Sequence, residues 1–117
     1  MKQILVVDDE KHICELYRID LEEEGYEVTV VNSGPEALAE VDRHPPDLIV
    51  LDIQMPGMDG IETLEKLLGR DKGIPVILNT AYSHYKDDFL TWGAYAYVVK
   101  SSDTTTLKQE IKRLLGT

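Results

Sequence analysis

Short apolar runs alternate along the chain with segments in which apolar residues recur every three or four positions. The runs have the length of β-strands, and the spacing between them is that of helices with one buried side. Five strands are predicted, at residues 4–7, 26–31, 48–51, 76–78 and 95–99. Continuous apolar strands of this kind are typical of parallel sheets that are covered on both faces.

Helix signals follow the strands. Gly25 predicts the C-terminal end of the first helix, and Ser33-Gly34-Pro35-Glu36 is a capping box that opens the second. Asp103 is a predicted N-cap for the last helix, whose apolar stripe ends at Leu115. The fourth helix, predicted over residues 83–92, has little apolar content and the weakest pattern.

Five strand-helix units predict an α/β fold: a five-stranded, doubly wound parallel sheet with helices on both faces. We assume the flavodoxin-like strand order 2-1-3-4-5 for this sheet. The length of 117 residues fits a single domain over 1–117. Because Leu115 completes the last helix, we expect no output domain within this sequence. The binding crevice of such a sheet lies beyond the carboxyl ends of its strands.

Composition narrows the classes of function. No apolar run approaches the ~20 residues of a membrane span, and residues 1–10 do not resemble a secretory signal, so we expect a cytoplasmic protein without membrane insertion. The net charge of −10 argues against direct nucleic-acid binding, which depends on clusters of Lys and Arg. The single cysteine, Cys14, lies among apolar helix residues and is predicted to be a packed thiol.

The predicted strands end in polar residues that share one edge of the sheet. The first strand runs into Asp8-Asp9-Glu10 in the stretch ILVVDDE, and the third ends in Asp52. Such carboxylates repel one another unless a cation lies between them. If strands one and three are neighbours, Asp8, Asp9 and Asp52 converge into a set of hard oxygen ligands that suits Mg²⁺.

The fourth strand ends in Asn79-Thr80 and the fifth in Lys100. A hydroxyl, a lysine and a divalent cation around one carboxylate stabilise the charge that develops during phosphoryl transfer. Asp52 is therefore predicted to be the nucleophile, with Thr80 and Lys100 as its catalytic partners. A single strand-end Asp is more often a helix cap than a ligand, so the prediction depends on the combination.

Several motifs together resemble the receiver domain of bacterial two-component response regulators over essentially the whole chain. They are ILVVDDE, LDIQMPGMDGIETL, NTAY, GAYAYVVK and SGPEALA. The resemblance implies that Asp52 is the phosphoacceptor and that Asp8 and Asp9 bind Mg²⁺. It further implies that the backbone carbonyl of Gln54 completes the protein ligands of the metal.

The resemblance also implies a switch. Phosphorylation would draw Thr80 inward, and Tyr97 would change rotamer with it, reshaping the face formed by the fourth helix, the fifth strand and the fifth helix. Without the resemblance, Tyr97 would be an ordinary half-buried strand tyrosine. Gln54 and Tyr82 occupy positions that tune the lifetime of the acyl phosphate, and shielding of the phosphoryl group by Tyr82 is a hypothesis.

Phosphate is expected to come from a histidine of another protein, either a histidine kinase or a histidine phosphotransfer protein. His12, His44 and His84 lie in separate segments without ligand spacing, and none is assigned to metal or to phosphorylation. The expected recipient of the signal is a downstream protein target or a detached output domain. The domain itself is not expected to be an enzyme beyond its self-catalysed phosphorylation and dephosphorylation.

One departure from the family keeps alternatives open. Lys100 is followed by Ser101, where the family usually has proline after a cis peptide bond. A cis bond before another residue costs ~3–4 kcal/mol, so a trans bond with a differently shaped loop is the alternative geometry. The alternative functions are a pseudo-receiver that binds partners without phosphorylation and a small phosphatase that passes through an aspartyl phosphate.

Overall fold

The sheet contains five parallel strands, as the alternating pattern predicts. A computed structural model describes residues 1–53, 60–70, 73–81, 93–101 and 103–117. The strands are β1 (Gln3–Val7), β2 (Glu27–Val31), β3 (Leu48–Leu51), β4 (Val76–Thr80) and β5 (Ala96–Val99). Their order is β2-β1-β3-β4-β5, which confirms the predicted flavodoxin-like topology.

Four helices lie within the described residues: α1 (Lys11–Glu23), α2 (Gly34–Arg43), α3 (Gly60–Arg70) and α4 (Thr105–Leu115). The predicted fourth helix, at residues 83–92, lies outside the described residues, so α4 corresponds to the last of the five predicted helices. No described helix has both the length and the apolar character that crossing a membrane would require.

The helix ends follow their sequence signals with one shift. Ser33 caps α2 by accepting a hydrogen bond from the backbone N–H of Glu36 (3.3 Å). Gly25, just beyond α1, has a φ of 94°, which favours glycine because other residues are strained there. The N-cap of α4 is Thr104 instead of the predicted Asp103. Asp103 still satisfies this helix end, because its carboxylate accepts a hydrogen bond from the Thr105 N–H (2.9 Å).

Alternate residues of each strand point to opposite faces of the sheet and build two cores. The α2 face packs against α2 and α3 and carries strand residues such as Val7, Leu51 and Leu78. The α1 face packs against α1 and α4 and carries Val6, Val50, Ile77, Ala96 and Val98, among others. Both faces are apolar along the strands, so burial fixes the register of each strand. The register in turn decides on which face each side chain at a strand end lies.

Candidate functional site

Asp8 and Asp52 lie side by side because β1 and β3 are neighbouring parallel strands. Val7 pairs with Leu51, and the backbone N–H of Asp52 donates to the carbonyl of Val7 (3.0 Å). Each aspartate continues the alternation of the α1 face, two residues after Val6 and Val50, respectively. The assumption that strands one and three are neighbours is confirmed, and the two carboxylates are buried at one edge of the sheet.

Lys100 reaches the same point from β5. Its Nζ lies 2.8 Å from Oδ2 of Asp8 and 3.1 Å from Oδ2 of Asp52, and the exposed Oε1 of Glu10 is 3.6 Å away. The lysine side chain is 11% exposed and each aspartate side chain 3%. The Lys100 ammonium therefore offsets the repulsion that these carboxylates would otherwise experience.

The charge of Lys100 is stabilised by this environment. Burial lowers the pKa of the ammonium, but hydrogen bonds and attraction to Asp8 and Asp52 outweigh it, so the pKa is raised above its ordinary value. The lysine remains protonated throughout the neutral range. Its backbone N–H donates to the carbonyl of Thr80 (2.7 Å), which ties the end of β5 to the end of β4.

Three carboxylates approach closely enough to share a metal ion. One oxygen from each of Asp8, Asp9 and Asp52 lies within 4.8 Å of the others, with Asp9 exposed and the other two buried. Three carboxylates and one ammonium leave a formal excess of two negative charges in this set, which favours a divalent cation. Hard oxygen ligands are those that Mg²⁺ prefers, so these residues fit the ion predicted from the sequence. Gln54, the fourth predicted ligand, lies outside the described residues.

The Asp8 segment is held from both its carboxylate and its backbone. Oδ1 of Asp8 accepts a hydrogen bond from the Glu10 N–H (2.9 Å). The Asp8 carbonyl accepts bonds from Asn32 Nδ2 (2.9 Å) and from the thiol of Cys14 (3.3 Å). Burial and the negative charge of Asp8 raise the pKa of the Cys14 thiol to about 11, which confirms the prediction of a packed thiol.

The start of α3 lies directly against the backbone that carries Asp52. The Gly60 N–H donates to the carbonyl of Ile53 (2.8 Å), and a Cβ at Gly60 would overlap the Cα of Ile53 and the carbonyl oxygen of Asp52. Glycine is therefore required here by close approach of two backbones.

Thr80 and Tyr97 belong to the opposite face of the sheet. Tyr97 pairs with Leu78 across β4 and β5 and packs against the α2-face core, and Thr80 follows Leu78 by two residues. The threonine is fully buried and the tyrosine partly buried. Tyr82, predicted to tune phosphate lifetime, lies outside the described residues.

The loop after Lys100 does not use a cis bond. No peptide bond is cis in the part of the chain that the structure describes, so the bond between Lys100 and Ser101 is trans. Lys100 nevertheless reaches Asp52, so the departure from proline does not remove the lysine from the site.

The family model that describes a response regulator receiver domain matches residues 4–112. The chain belongs to this receiver domain family. Among curated proteins, it is 37% identical over 116 residues to the alkaline phosphatase synthesis transcriptional regulatory protein PhoP of Bacillus subtilis, covering 97% of this chain and 48% of PhoP. The sensory transduction protein RegX3 of Mycobacterium tuberculosis is 38% identical over 117 residues, covering 98% of this chain and 51% of RegX3. The receiver thus spans about half the length of the curated relatives that it matches first.

Two solved structures of one response regulator are similar to this chain over nearly their whole length. The response regulator TrrA of Thermotoga maritima, crystallised in complex with Mg²⁺-BeF, has a TM-score of 0.92 and 46% identity, covering 97% of this chain and 99% of that one. TrrA in complex with the histidine kinase ThkA has a TM-score of 0.90 and 47% identity, with coverage of 98% and 99%.

Sequence reasoning missed residues that support the receiver site from α1 and β2. Asn32 and Cys14 hold the Asp8 carbonyl, and Tyr17 contacts the side chain of Asn79. Asn32 could have been predicted from the sequence, because it follows Val30 by two residues and so lies on the α1 face, just as Asp8 does after Val6. Tyr17 matches only the apolar stripe of a helix, so its polar contact carried no sequence signal.

Neither of the two histidines that the structure describes contacts the site. His44 is exposed, with Nδ1 3.6 Å from Glu40 Oε2, and His12 is exposed on α1. No histidine joins a cluster with metal-ligand geometry within the described residues, and His84 lies outside them.

Proposed function

We propose that this receiver accepts a phosphoryl group on Asp52 from a phosphohistidine of a partner protein. The observation that carries the proposal is the buried Asp52 carboxylate, held 3.1 Å from the Lys100 ammonium and grouped with two further carboxylates. This arrangement combines a nucleophile, a protonated lysine and a place for a second cation at the crevice of the sheet.

In the proposed step, an oxygen of the Asp52 carboxylate attacks phosphorus and forms a new P–O bond. The P–N bond to the partner's imidazole breaks, and its electron pair remains on the ring nitrogen. Lys100 stabilises the negative charge on the phosphoryl oxygens, and the Thr80 hydroxyl contributes a hydrogen bond to them. The structure of the similar response regulator TrrA in complex with Mg²⁺-BeF supports these roles.

Asp8, Asp9 and Asp52 are the described residues that would hold Mg²⁺, and Gln54 is proposed as the further ligand. When bound, the ion would offset the repulsion between the Asp52 carboxylate and an anionic phosphoryl group. The chain's own contribution is the alignment of the three carboxylates by β1 and β3.

The output of the proposed reaction is a change at Thr80 and Tyr97. The two residues share one face and adjacent strands, so a contact made by Thr80 can be transmitted to Tyr97 through the β4-β5 pair. Gln54 and Tyr82 are proposed to tune the lifetime of the phosphoryl group.

The proposed phosphoryl donor is a histidine kinase or a histidine phosphotransfer protein, in keeping with the solved complex of TrrA and ThkA. The proposed recipient is a downstream protein target or an output domain, and the curated relatives include transcriptional regulatory proteins. We propose a single receiver unit over 1–117 that acts in the cytoplasm, does not bind nucleic acid directly and catalyses only its own phosphorylation and dephosphorylation.

The test is the intact mass of the protein after incubation with acetyl phosphate and Mg²⁺. We expect a phosphoryl-sized gain in the native chain that is lost with a chelator and in Asp52→Asn. Asp42→Asn is the matched control, because Asp42 forms only an exposed ion pair with Arg70 among the described contacts. Absence of the gain in folded native protein, or its persistence in Asp52→Asn, would contradict the proposal.

A further inference from the structure

A buried polar pair lies behind the charged cluster on the α1 face. Asn79 Nδ2 of β4 donates a hydrogen bond to the Tyr17 hydroxyl of α1 (2.7 Å), and both residues are almost completely inaccessible to solvent. The nearest strand neighbours of Asn79 on this face are apolar, since Asn79 follows Ile77 by two residues and pairs with Val98 of β5. Apolar side chains would fill these two positions at lower cost.

The pair is incompletely satisfied. Oδ1 of Asn79 has no hydrogen-bond partner among the residues that the structure describes. Rotating the amide would let the Tyr17 hydroxyl donate to Oδ1, but it would leave the amide nitrogen unpaired instead. Either orientation leaves a buried polar atom without a partner, and native proteins keep such atoms rarely and usually for a reason.

The pair is close to Lys100. Asn79 pairs with Val98, and Lys100 lies two residues beyond Val98, so the asparagine and the lysine are diagonal neighbours on one face. Burial raises the pKa of the Tyr17 phenol, while the Asn79 hydrogen bond and the charge of Lys100 lower it. The negative charges of Asp8 and Asp52 raise this pKa further.

We propose that Tyr17 and Asn79 are positioning residues that give the buried Lys100 ammonium a neutral polar neighbour, which allows it to release the carboxylates of Asp8 and Asp52. The proposal rests on the proposed phosphoacceptor function of Asp52.

The physical argument is competition for the same oxygens. Lys100 contacts Oδ2 of Asp8 and of Asp52, the two buried carboxylates that would also face a divalent cation. If its other neighbours were all apolar, the Lys100 ammonium would have no other polar group to contact and would stay on these carboxylates. An amide carbonyl stabilises a cation through its dipole, so a free Oδ1 lowers the cost of moving Lys100 away. While Lys100 remains on the carboxylates, Oδ1 of Asn79 is buried without a hydrogen bond from any described residue, which lowers the stability of the folded chain.

Asn79→Leu keeps the approximate shape of the side chain and removes its polar atoms. We expect the variant to be as stable as the native chain, or more stable, without Mg²⁺. We also expect its apparent Mg²⁺ affinity and its rate of phosphorylation by acetyl phosphate to fall by about tenfold, which is typical when a residue that supports a metal site is lost. Tyr17→Phe should shift both quantities in the same direction by a smaller factor.

Tyr26→Phe is the matched control for the loss of a buried phenol hydroxyl. Tyr26 lies on the same face, and its hydroxyl shares a 2.6 Å hydrogen bond with Thr117 beside the amino end of β2. We expect its Mg²⁺ affinity and phosphorylation rate to match those of the native chain.

The experiment measures urea unfolding at increasing Mg²⁺ concentrations, which yields the apparent Mg²⁺ affinity independently of phosphorylation, and then the phosphorylation rate. Native affinity and rate in a folded Asn79→Leu variant would overturn the inference, and if that variant does not fold, Tyr17→Phe decides in its place. A native chain that is neither stabilised by Mg²⁺ nor phosphorylated would instead overturn the proposed function.

Discussion

The two faces of the sheet are lined by similar aliphatic side chains but end in different chemistry. At the carboxyl edge, the α1 face continues into Asp8, Asp52 and Lys100, whereas the α2 face continues into Thr80, which lies diagonally across the β4-β5 pair from Tyr97. Strand alternation places these sets on opposite sides of the sheet. The aspartates that would bind a metal are thereby separated from Thr80 and Tyr97, the two residues proposed to change on phosphorylation. A change at the metal site must therefore reach these two residues through the strand ends.

Removing the Lys100 cation from the α1 face should change the free energy of unfolding more than any other substitution considered. Lys100→Met leaves Asp8 and Asp52 buried without their counter-ion, so we expect a loss of about 3 kcal/mol in the free energy of unfolding, measured in urea without Mg²⁺. Lys112→Met removes an exposed ion pair with Glu24 (3.1 Å) and should cost less than ~1 kcal/mol. Equal losses in the two variants would contradict a special role for the buried cluster.

The pH dependence of this loss has a defined sign. Because the folded-state pKa of Lys100 is raised above the ordinary value of 10.5, its contribution is present in full below that pH. The contribution disappears as the pH rises through the folded-state pKa. Native chain and Lys100→Met should therefore differ by a constant amount from pH 7 to about pH 10 and converge only at more alkaline pH.

The next effect tests the backbone contact between α3, on the α2 face, and the segment that carries Asp52. Gly60→Ala places a Cβ against the Asp52 carbonyl and Ile53, so we expect a loss of about 2–3 kcal/mol by thermal or urea unfolding, with slower phosphorylation. Gly69→Ala in the same helix has no atom within 4 Å of its new Cβ and should gain ~0.5–1 kcal/mol. A neutral Gly60→Ala would show that the two backbones can separate without cost.

A smaller effect tests whether the faces are independent. Thr80→Val replaces a buried hydroxyl beyond the α2-face core, and we expect a loss of about 1 kcal/mol in the free energy of unfolding. The stabilisation by Mg²⁺ should be unchanged, because the three clustered carboxylates are not altered. A weaker response to Mg²⁺ in this variant would show that the two sets of residues are energetically coupled.

The last prediction concerns the reactivity of Cys14, not stability, and tests how tightly the α1 face closes around Asp8. A rise in pKa from 9.0 to about 11 lowers the thiolate fraction about a hundredfold at pH 8, and burial slows the reaction further. The rate of alkylation by iodoacetamide at pH 8 should therefore increase at least that much when urea unfolds the chain. Similar rates in both states would show that the Cys14 thiol is accessible in the folded protein.

The amino-acid sequence alone predicts the architecture and the chemistry of the strand ends. Apolar runs and helical spacing predicted five parallel strands covered on both faces, whereas the order 2-1-3-4-5 was assumed from flavodoxin-like sheets and confirmed by the structure. Asp8, Asp52, Thr80 and Lys100 were recognisable since residues at the carboxyl ends of parallel strands share one edge. The capping signals at Ser33 and Gly25 are local, so neighbouring residues sufficed to predict them.

Which of these groups are in contact depends on the fold of the whole chain. The contacts of Lys100 with Asp8 and Asp52 depend on register and twist across β1, β3, β4 and β5, which no local pattern contains. The hydrogen bond between Tyr17 and Asn79 joins residues 62 positions apart, and Gly60 meets Asp52 only after α3 packs on the sheet. Local sequence specifies which side chains an element offers, whereas distances between elements follow from the packing of the whole core.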